Sequence, residues 1–573
     1  PKVRSMSANA ELAGIFQEMS AIMELTGANA FRVNAYARVA RVLGDLTVDV
    51  ADIADKKQLV AIEGIGDGTA KKIIEYLDTA VVAAHKTLLD EVPQGLLELL
   101  KISGLGPKTV RVLWEQGGVT DMPSLIKKLD TGDIEKLPRM GAKTVANIRE
   151  SIAFAMRSGK RARLGQALPL AEQIVEYLRR VPGTTRVEYA GSLRRGRETI
   201  GDIDILASTD HPGALHDAFQ TMPGVIKVLV AGETKSSIRL EPGGQVDLRV
   251  VDIASFGAAL LYFTGSKAHN VVLRERAVRM KMSLNEYGMT GRREVDAGTE
   301  ASIYTALDLP YIPPELREDR GELALTETPR LIEIGDIRAE LHAHTVASDG
   351  RFTIETLARC VADRGYHTVA VTDHSQSSAQ ANGLSPERLI EHIEAIHDAN
   401  TEIDGITILA GAEVDILADG RLDYDDALLA RLDVVVASPH STLRQDPDTA
   451  TKRLLAAIRH PLVHVIGHPT GRILNRREGL HPDMTKLFEA AAEHNTALEI
   501  NANSLRLDLR DIHVRAAVQA GALIAVNTDA HRSEHFDELR YGIMTARRGW
   551  LEAEQCVNTW AAGKLMSWLR SKR

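Results

Sequence analysis

Apolar positions along this chain follow three rhythms. In the front part, apolar runs break at a short glycine turn and then resume as a helix. This happens at Leu59-Val60-Ala61-Ile62-Glu63-Gly64-Ile65-Gly66, at Leu100-Lys101-Ile102-Ser103-Gly104-Leu105-Gly106-Pro107-Lys108 and at Leu137-Pro138-Arg139-Met140-Gly141-Ala142-Lys143-Thr144. In the middle, Asp202-Ile203-Asp204 and Val246-Asp247-Leu248-Arg249-Val250 alternate polar and apolar residues, the period of a strand. From about residue 336, short apolar runs alternate with helical stretches, which predicts an α/β domain with parallel strands.

A chain of 573 residues exceeds a single core and implies several domains. The two cysteines, Cys360 and Cys556, supply neither a disulfide framework nor a thiolate cluster, so a reducing cytoplasm is the expected home. No apolar run of about 18 residues predicts a membrane span, and no secretory leader is expected. Net charge is −9, yet residues 1–330 are about neutral, and about 15 of the 19 histidines follow residue 330. The chain thus has two chemical halves. Any nucleic-acid contact in the front half must come from local patches and backbone amides rather than a global positive field.

The densest chemistry lies in Gly191-Ser192-Leu193-Arg194-Arg195-Gly196-Arg197-Glu198-Thr199-Ile200-Gly201-Asp202-Ile203-Asp204. On a strand, Asp202 and Asp204 leave on one face, about 7 Å apart along the chain. Paired carboxylates repel unless a cation joins them, and beside a Gly-Ser/Arg turn suited to phosphate that cation is most simply Mg²⁺. Asp247, on a second alternating strand after the Gly243-Gly244 turn, supplies a third carboxylate. Three such groups suit in-line nucleotidyl transfer. An isolated D-x-D is ordinarily a solvated strand edge; the attached turn and the V-D-L-R strand reverse that preference.

In the back half, the apolar runs end in ligand-type residues: His342 and His344 followed by Asp349, then His374, Glu413, His440, His468, and Asp529 with His531. A further run, 496–501, ends in Asn501 and Asn503. In an α/β barrel, the C-terminal strand ends converge on one site. Nine imidazole and carboxylate groups there suit two or three ions of Mn²⁺, Zn²⁺ or Fe²⁺. Any one of these histidines alone would be an ordinary core or capped residue. His367 and His464 fall off the pattern and are read as core. Arg472 is read either as a DNA-phosphate contact or as a surface arginine.

Residues 191–204, Asp247 and Leu261-Tyr262-Phe263-Thr264-Gly265-Ser266 resemble the DNA polymerase X family, which includes DNA polymerase beta. The resemblance implies that Asp202, Asp204 and Asp247 bind the catalytic Mg²⁺ or Mn²⁺. It implies that Gly191, Ser192, Arg195 and Gly201 hold the incoming triphosphate, that Tyr262 and Phe263 lie against the sugar, and that Gly265 begins the next turn. Asn270 would reach the minor-groove edge of the new base, Arg274 would contact the template, and Asn285-Glu286-Tyr287 matches a thumb motif. Gln245 departs from the vertebrate pattern, which has arginine there, and puts the orientation of Asp247 at issue. Residues from about 336 onward resemble the PHP (polymerase and histidinol phosphatase) domain, a distorted seven-stranded barrel with a two- or three-metal centre, all nine ligand positions filled. Glu340 stands where many members have Asp. The implied chemistry is metal-assisted phosphoester hydrolysis.

The glycine turns resemble helix-hairpin-helix elements, whose amides hold DNA phosphates without reading sequence. One Gly-x-Gly is ordinarily a plain connector. Two copies, with Gly64, Gly66, Gly104, Gly106 and Lys108, favour DNA-backbone binding, while the third carries Arg139 for its first glycine and reads as structural. Lys72 falls at the family's Schiff-base lysine for removing a 5′-deoxyribose phosphate. Gly68, replacing a basic residue, favours instead a solvated helix lysine.

The expected fold class is multidomain α/β: helical helix-hairpin-helix domains at 1–90 and 91–160, an α+β nucleotidyltransferase palm at 161–260, a thumb at 261–320, a linker at 321–335 and a distorted (β/α)7 PHP barrel at 336–573. The expected protein is a bacterial polymerase X, a monomer of the cytoplasm and nucleoid. It would fill short gaps in base-excision repair from deoxynucleoside triphosphates on gapped or nicked DNA, and carry a 3′→5′ exonuclease in the PHP half. The alternatives are a DNA-end scaffold with weak polymerase activity, and a PHP half that acts as a 3′-phosphatase or small phosphomonoesterase.

Overall fold

The computed structural model describes residues 8–46, 50–53, 56–62, 64–100, 105–138, 140–142, 144, 145, 148, 149, 152, 161–241, 244–291 and 295–572. Residues 101–104, which include Gly104, lie outside these, as do Glu63, Arg139, Lys143 and Gly243. The chain forms two compact units, 1–160 and 161–573.

The first unit is helical, with two apolar clusters. One gathers Leu12, Phe16, Met19, Leu43, Ile73 and Tyr76, and the other Leu96, Val110, Leu113, Leu125 and Leu129. Helix Asp67–Thr79 starts at Gly66, whose N–H donates to Thr69 Oγ1 at 3.0 Å. Helix Pro107–Glu115 starts at Gly106 with proline in its first turn, where a missing N–H costs no helical bond.

The second unit begins with a five-stranded sheet of β1 (Thr184–Tyr189), β2 (Asp202–Thr209), β3 (Val225–Ala231), β4 (Lys235–Leu240) and β5 (Gly244–Val250), in spatial order β1-β2-β5-β4-β3. Only β2 and β5 run parallel. The alternation read from sequence sends Ile203, Ile205, Val246 and Leu248 into a core shared with helices Leu164–Arg179 and Pro212–Thr221. The opposite face takes Leu206 against Phe256 and Ala259 of helix Phe256–Thr264. A thumb follows, built around Leu273, Met282, Ile303, Tyr304 and Ile312. The stretch 321–335, read as a linker, packs on its neighbours: Glu322 is fully buried and accepts from His269 Nδ1 at 2.7 Å, and Ile332 N–H donates to the Leu551 carbonyl.

Seven parallel strands then run in sequential order: β6 (Ala339–Ala343), β7 (Thr368–Val371), β8 (Thr407–Asp415), β9 (Val434–Ser438), β10 (Val465–Ile466), β11 (Ala497–Asn501) and β12 (Ile524–Asn527). A parallel bridge between Ala343 and Ala530 brings the last strand back to the first, so the sheet nearly closes as a barrel. Its strands are buried on both faces, which is why they read as continuous apolar runs rather than alternations. Leu341, Ala370, Leu409, Val436 and Val465 gather on Trp560, Leu565 and Trp568 from the C-terminal segment. His367 and His464, each just before a strand, bond to the carbonyls of Trp560 and Leu569 in that segment. These two histidines therefore fasten the N-terminal strand ends and leave the C-terminal ends for chemistry.

Candidate functional site

The palm carboxylates meet because β2 and β5 pair in register, Asp202 opposite Gln245 and Asp204 opposite Asp247. Gly191 stands directly over them. Its φ is +63°, and a Cβ there would fall 2.1 Å from Asp204 Oδ2, so only glycine fits. Ala190 N–H donates to the Asp204 carbonyl at 2.8 Å, which hangs the whole 191–201 turn from β2. Burial, followed by Asp202 and Asp247, pushes Asp204 up to about 7, and burial with Asp247 raises Asp202 as well. Carboxylates that cannot all ionise side by side are what a divalent cation relieves. Gln245 Nε2 donates to Asp247 Oδ1 at 2.9 Å, and Lys235 Nζ lies 2.6 Å from Oδ2. Gln245 thus anchors the carboxylate whose orientation the sequence left at issue.

Around this cluster, Ser192 sits half-buried on the helical turn Gly191–Arg194. Arg195 donates from Nε to Glu318 Oε1 at 3.0 Å and from Nη1 to the Thr264 carbonyl at 2.7 Å. Gly201 is exposed, and the guanidinium of Arg161 lies against it. Tyr262 and Phe263 meet edge to face at 5.1 Å, and Arg249 lies 4.5 Å over the Phe263 ring. Gly265 N–H closes their helix on the Leu261 carbonyl. Asn270 Nδ2 donates to the Tyr262 carbonyl at 2.6 Å, and Tyr262, Asn270, Arg274 and Asn285 line one small hollow. Arg274 and Tyr287 are exposed.

At the other centre, Glu413 is the hub. Its carboxylate lies within 3.7 Å of imidazole nitrogens of His342, His344, His374, His440 and His468. Three ligand groupings share these residues: His342, His344 and Asp529; His374, Glu413 and His440; and His344, Asp349, His374 and His531. Asp349 reaches in from the loop after β6 and sits 3.3 Å from His531 Nε2. The fit to metal rests on buried polar atoms left over. Both oxygens of Glu413, both ring nitrogens of His344 and His468, His342 Nε2, His374 Nδ1 and Asp529 Oδ1 are buried without a hydrogen bond of acceptable geometry. Orphaned buried polar atoms in such number are tolerated only where a cation satisfies them. Burial, then His531 and His374, push His344 down to about 4, leaving the neutral imidazole that binds a metal. His468 and Asp529 hold positive φ values of +26° and +54°, backbone strain that clusters at sites of function.

Residues that the sequence did not single out hold these ligands in place. Glu499 accepts from His342 Nδ1 at 2.7 Å, from His468 N–H and from Asn527. Asp415 accepts from His440 Nδ1 at 2.9 Å. Such carboxylates fix the tautomer and the ring orientation. Both were within reach of the i, i+2 rule, since Asp415 follows Glu413 and Glu499 precedes Asn501 on shared strand faces. Glu340 accepts from Thr528 Oγ1 at 2.7 Å, beside Asp529, and burial raises it to about 8. Arg472 is neither a DNA-facing nor a bland surface arginine. It is buried, donates to Glu198 at 2.7 Å and to the carbonyls of Arg506 and Leu507, and so ties the barrel to the palm turn.

In the first unit, Gly64 lies against Arg38 and Val42, Gly66 is committed to its cap, and Gly106 and Lys108 are exposed. Lys72 Nζ donates to the Gly68 carbonyl at 3.2 Å and stands 5.9 Å from the Tyr36 ring.

A three-carboxylate palm beside a histidine-rich seven-stranded barrel defines a nucleotidyltransferase of the polymerase beta kind fused to a PHP metallohydrolase. Family comparison agrees along the chain: a helix-hairpin-helix domain matches residues 7–82, a SAM-like helix-hairpin-helix tandem 96–153, the DNA polymerase beta thumb 259–318 and the PHP domain 340–503. The DNA polymerase/3′-5′ exonuclease PolX of Bacillus subtilis is 38% identical over 553 residues, 95% of this chain and 96% of that one. DNA polymerase lambda of Rattus norvegicus is 28% identical over 300 residues, covering 46% of this chain and 49% of its own. A probable phosphatase of Thermoanaerobacter sp. is 28% identical over 246 residues, 41% of this chain and 95% of its own. The chain belongs to the bacterial DNA polymerase X family.

Proposed function

We propose that this protein is a DNA-directed DNA polymerase that fills short gaps during base-excision-type repair and, through its PHP half, a metal-dependent 3′→5′ exonuclease. The observation that carries the reading is the pair of separate constellations: Asp202, Asp204 and Asp247 in register on two parallel strands, and Glu413 with eight further candidate ligands gathered about it. Asp202, Asp204 and Asp247 would hold Mg²⁺ or Mn²⁺, and the barrel would hold two or three ions of Mn²⁺, Zn²⁺ or Fe²⁺. When bound, these ions neutralise the charge that develops at the phosphorus and on the leaving oxygen.

The chain's own groups do the positioning. Gln245 and Lys235 fix Asp247 beside Asp204. The turn from Gly191 to Gly201, with Ser192 and Arg195, takes the triphosphate, and Arg161 and Lys235 add positive charge beside Asp202. Tyr262 and Phe263 wall the sugar, held by the Asn270 bond to the Tyr262 carbonyl, and Arg274 faces the template. In the barrel, Glu499 and Asp415 aim His342 and His440, and burial of the strand ends excludes bulk water. Hairpin residues Gly64, Gly106 and Lys108 would contact DNA phosphates, while Gly66 shapes the turn through its cap. A monomer acting at the bacterial nucleoid is the setting this reading implies.

The test is a one-nucleotide-gapped duplex compared with an open primer-template. Faster single-turnover addition in the gap is expected; equal rates would remove the gap-filling assignment. The similarity of the PHP half to probable phosphatases favours a second reading for that half, removal of a terminal phosphate. A 5′-labelled DNA ladder supports the exonuclease, whereas free phosphate released from full-length strands supports the phosphatase.

A further inference from the structure

The nucleotide turn of the palm is held from the barrel half. Arg548, the last residue of helix Leu539–Arg548, has a side chain only 3% exposed, and its guanidinium serves three acceptors. Nη1 donates to the Arg195 carbonyl at 2.7 Å and to Glu318 Oε1 at 3.0 Å, and Nη2 donates to Asp511 Oδ2 at 2.7 Å. Glu318 is itself shared, because Arg195 Nε donates to the same oxygen and Arg197 lies 3.7 Å from it. The tip of the turn rests on the same helix. Gly196 has φ +67°, and a Cβ there would stand 3.2 Å from Met544 Cβ.

This arrangement sets up a competition. An Arg195 guanidinium that turns toward a triphosphate gives up its Nε bond to Glu318. A buried carboxylate stripped of its partner is heavily penalised. Arg548, at 3.0 Å, stays behind as the hydrogen-bonded cation on that carboxylate, with Arg197 farther off at 3.7 Å, and the Arg548 bond to the Arg195 carbonyl keeps the backbone in place while the side chain moves. We infer that Arg548, although part of the barrel half, is a positioning residue for nucleotide addition, holding the Arg195 backbone and keeping Glu318 paired when Arg195 turns to the triphosphate. The inference rests on the reading that the 191–201 turn takes the triphosphate. Arg548 lies outside both constellations and touches neither set of metal ligands in this structure.

The experiment measures kcat and KM for one deoxynucleoside triphosphate on a one-nucleotide-gapped duplex with the full chain. The variants are Arg548→Met, Arg548→Lys, Glu318→Gln, the double variant Arg548→Met/Glu318→Gln, and Arg195→Ala. Exonuclease activity on single-stranded DNA and thermal unfolding are followed alongside as reports on folding. Arg548→Met should raise KM about tenfold, the size of an ordinary coupling between sites, with kcat and exonuclease rate within about twofold of wild type, the pattern of lost binding rather than lost chemistry. Arg548→Lys should fall between, and Glu318→Gln should relieve most of the defect in the double variant, because the competing charge is gone. Unchanged KM in Arg548→Met while Arg195→Ala raises it would overturn the inference alone. So would a raised KM accompanied by loss of both kcat and exonuclease rate in both Arg548 variants, or a double variant no better than Arg548→Met. Unchanged KM in Arg195→Ala would instead remove the triphosphate reading of the turn, and the inference with it.

Discussion

Gly191 and Asp204 cannot be altered independently, because the glycine's missing Cβ is the space that the carboxylate oxygen occupies. Gly191→Ala should therefore cut nucleotide addition by at least about a hundredfold, the scale of losing one well-placed electrostatic group, while leaving the exonuclease near wild type; primer extension and ladder digestion on one preparation check this. Glu300 presents the opposite situation, a buried charge fully answered. Arg317 donates to it at 2.5 Å and Arg194 grips both its oxygens at 2.8 Å. Burial alone would raise this carboxyl, but the charge of Arg317 and the hydrogen bond from Arg194 overcome it and hold it at about 2, below its ordinary 4.5. A depressed carboxylate contributes stability above its unfolded value and loses it as pH falls through the folded one. The contribution of Glu300 should thus be complete above about pH 4.5 and vanish toward pH 2. Glu300→Gln should cost about 3 kcal/mol at neutral pH, as for a broken buried pair, with the deficit narrowing across that acid window in denaturant titrations.

The barrel strands show how far a periodic sequence reaches. Runs buried on both faces and stopped by His, Asp or Glu could be read directly, because a parallel strand has one C-terminal end and all such ends converge. The alternation in β2 and β5 was equally legible, since the core beneath them demands Ile203, Ile205, Val246 and Leu248 on one face. The supporting contacts were harder to see. Glu499 and Asp415 were visible by spacing but lie among apolar residues, and the partners that give them a role come from other strands. Arg472 was misread because its partner, Glu198, lies far away in sequence, and spacing along one element carries nothing about such a tie. At this scale, Glu499→Gln should weaken metal retention by about 10–100-fold, the usual cost of losing a carboxylate behind a ligating histidine. Metal content after dialysis at graded chelator concentration measures it, with circular dichroism unchanged.

Across the whole molecule, the sequence divided the chain into two chemical halves, and the structure draws its boundary elsewhere. Palm, thumb and barrel form one compact unit, 161–573, apart from the helical 1–160. Charge and histidine content change near residue 330 because the barrel's chemistry does, not because packing stops there: Arg472, Arg547 and Arg548 reach back to Glu198, Glu315 and Glu318. Two sets of candidate metal ligands within one packed unit can still fail separately, since neither shares a residue with the other. That independence is the central claim, and reciprocal variants test it most directly. Asp247→Asn and His344→Ala are assayed on the same gapped duplex for primer extension and for 3′-end digestion. Extension should be lost with digestion intact in Asp247→Asn, and the reverse should hold in His344→Ala. Primer extension surviving in Asp247→Asn, or both activities falling together in either variant, would contradict the account.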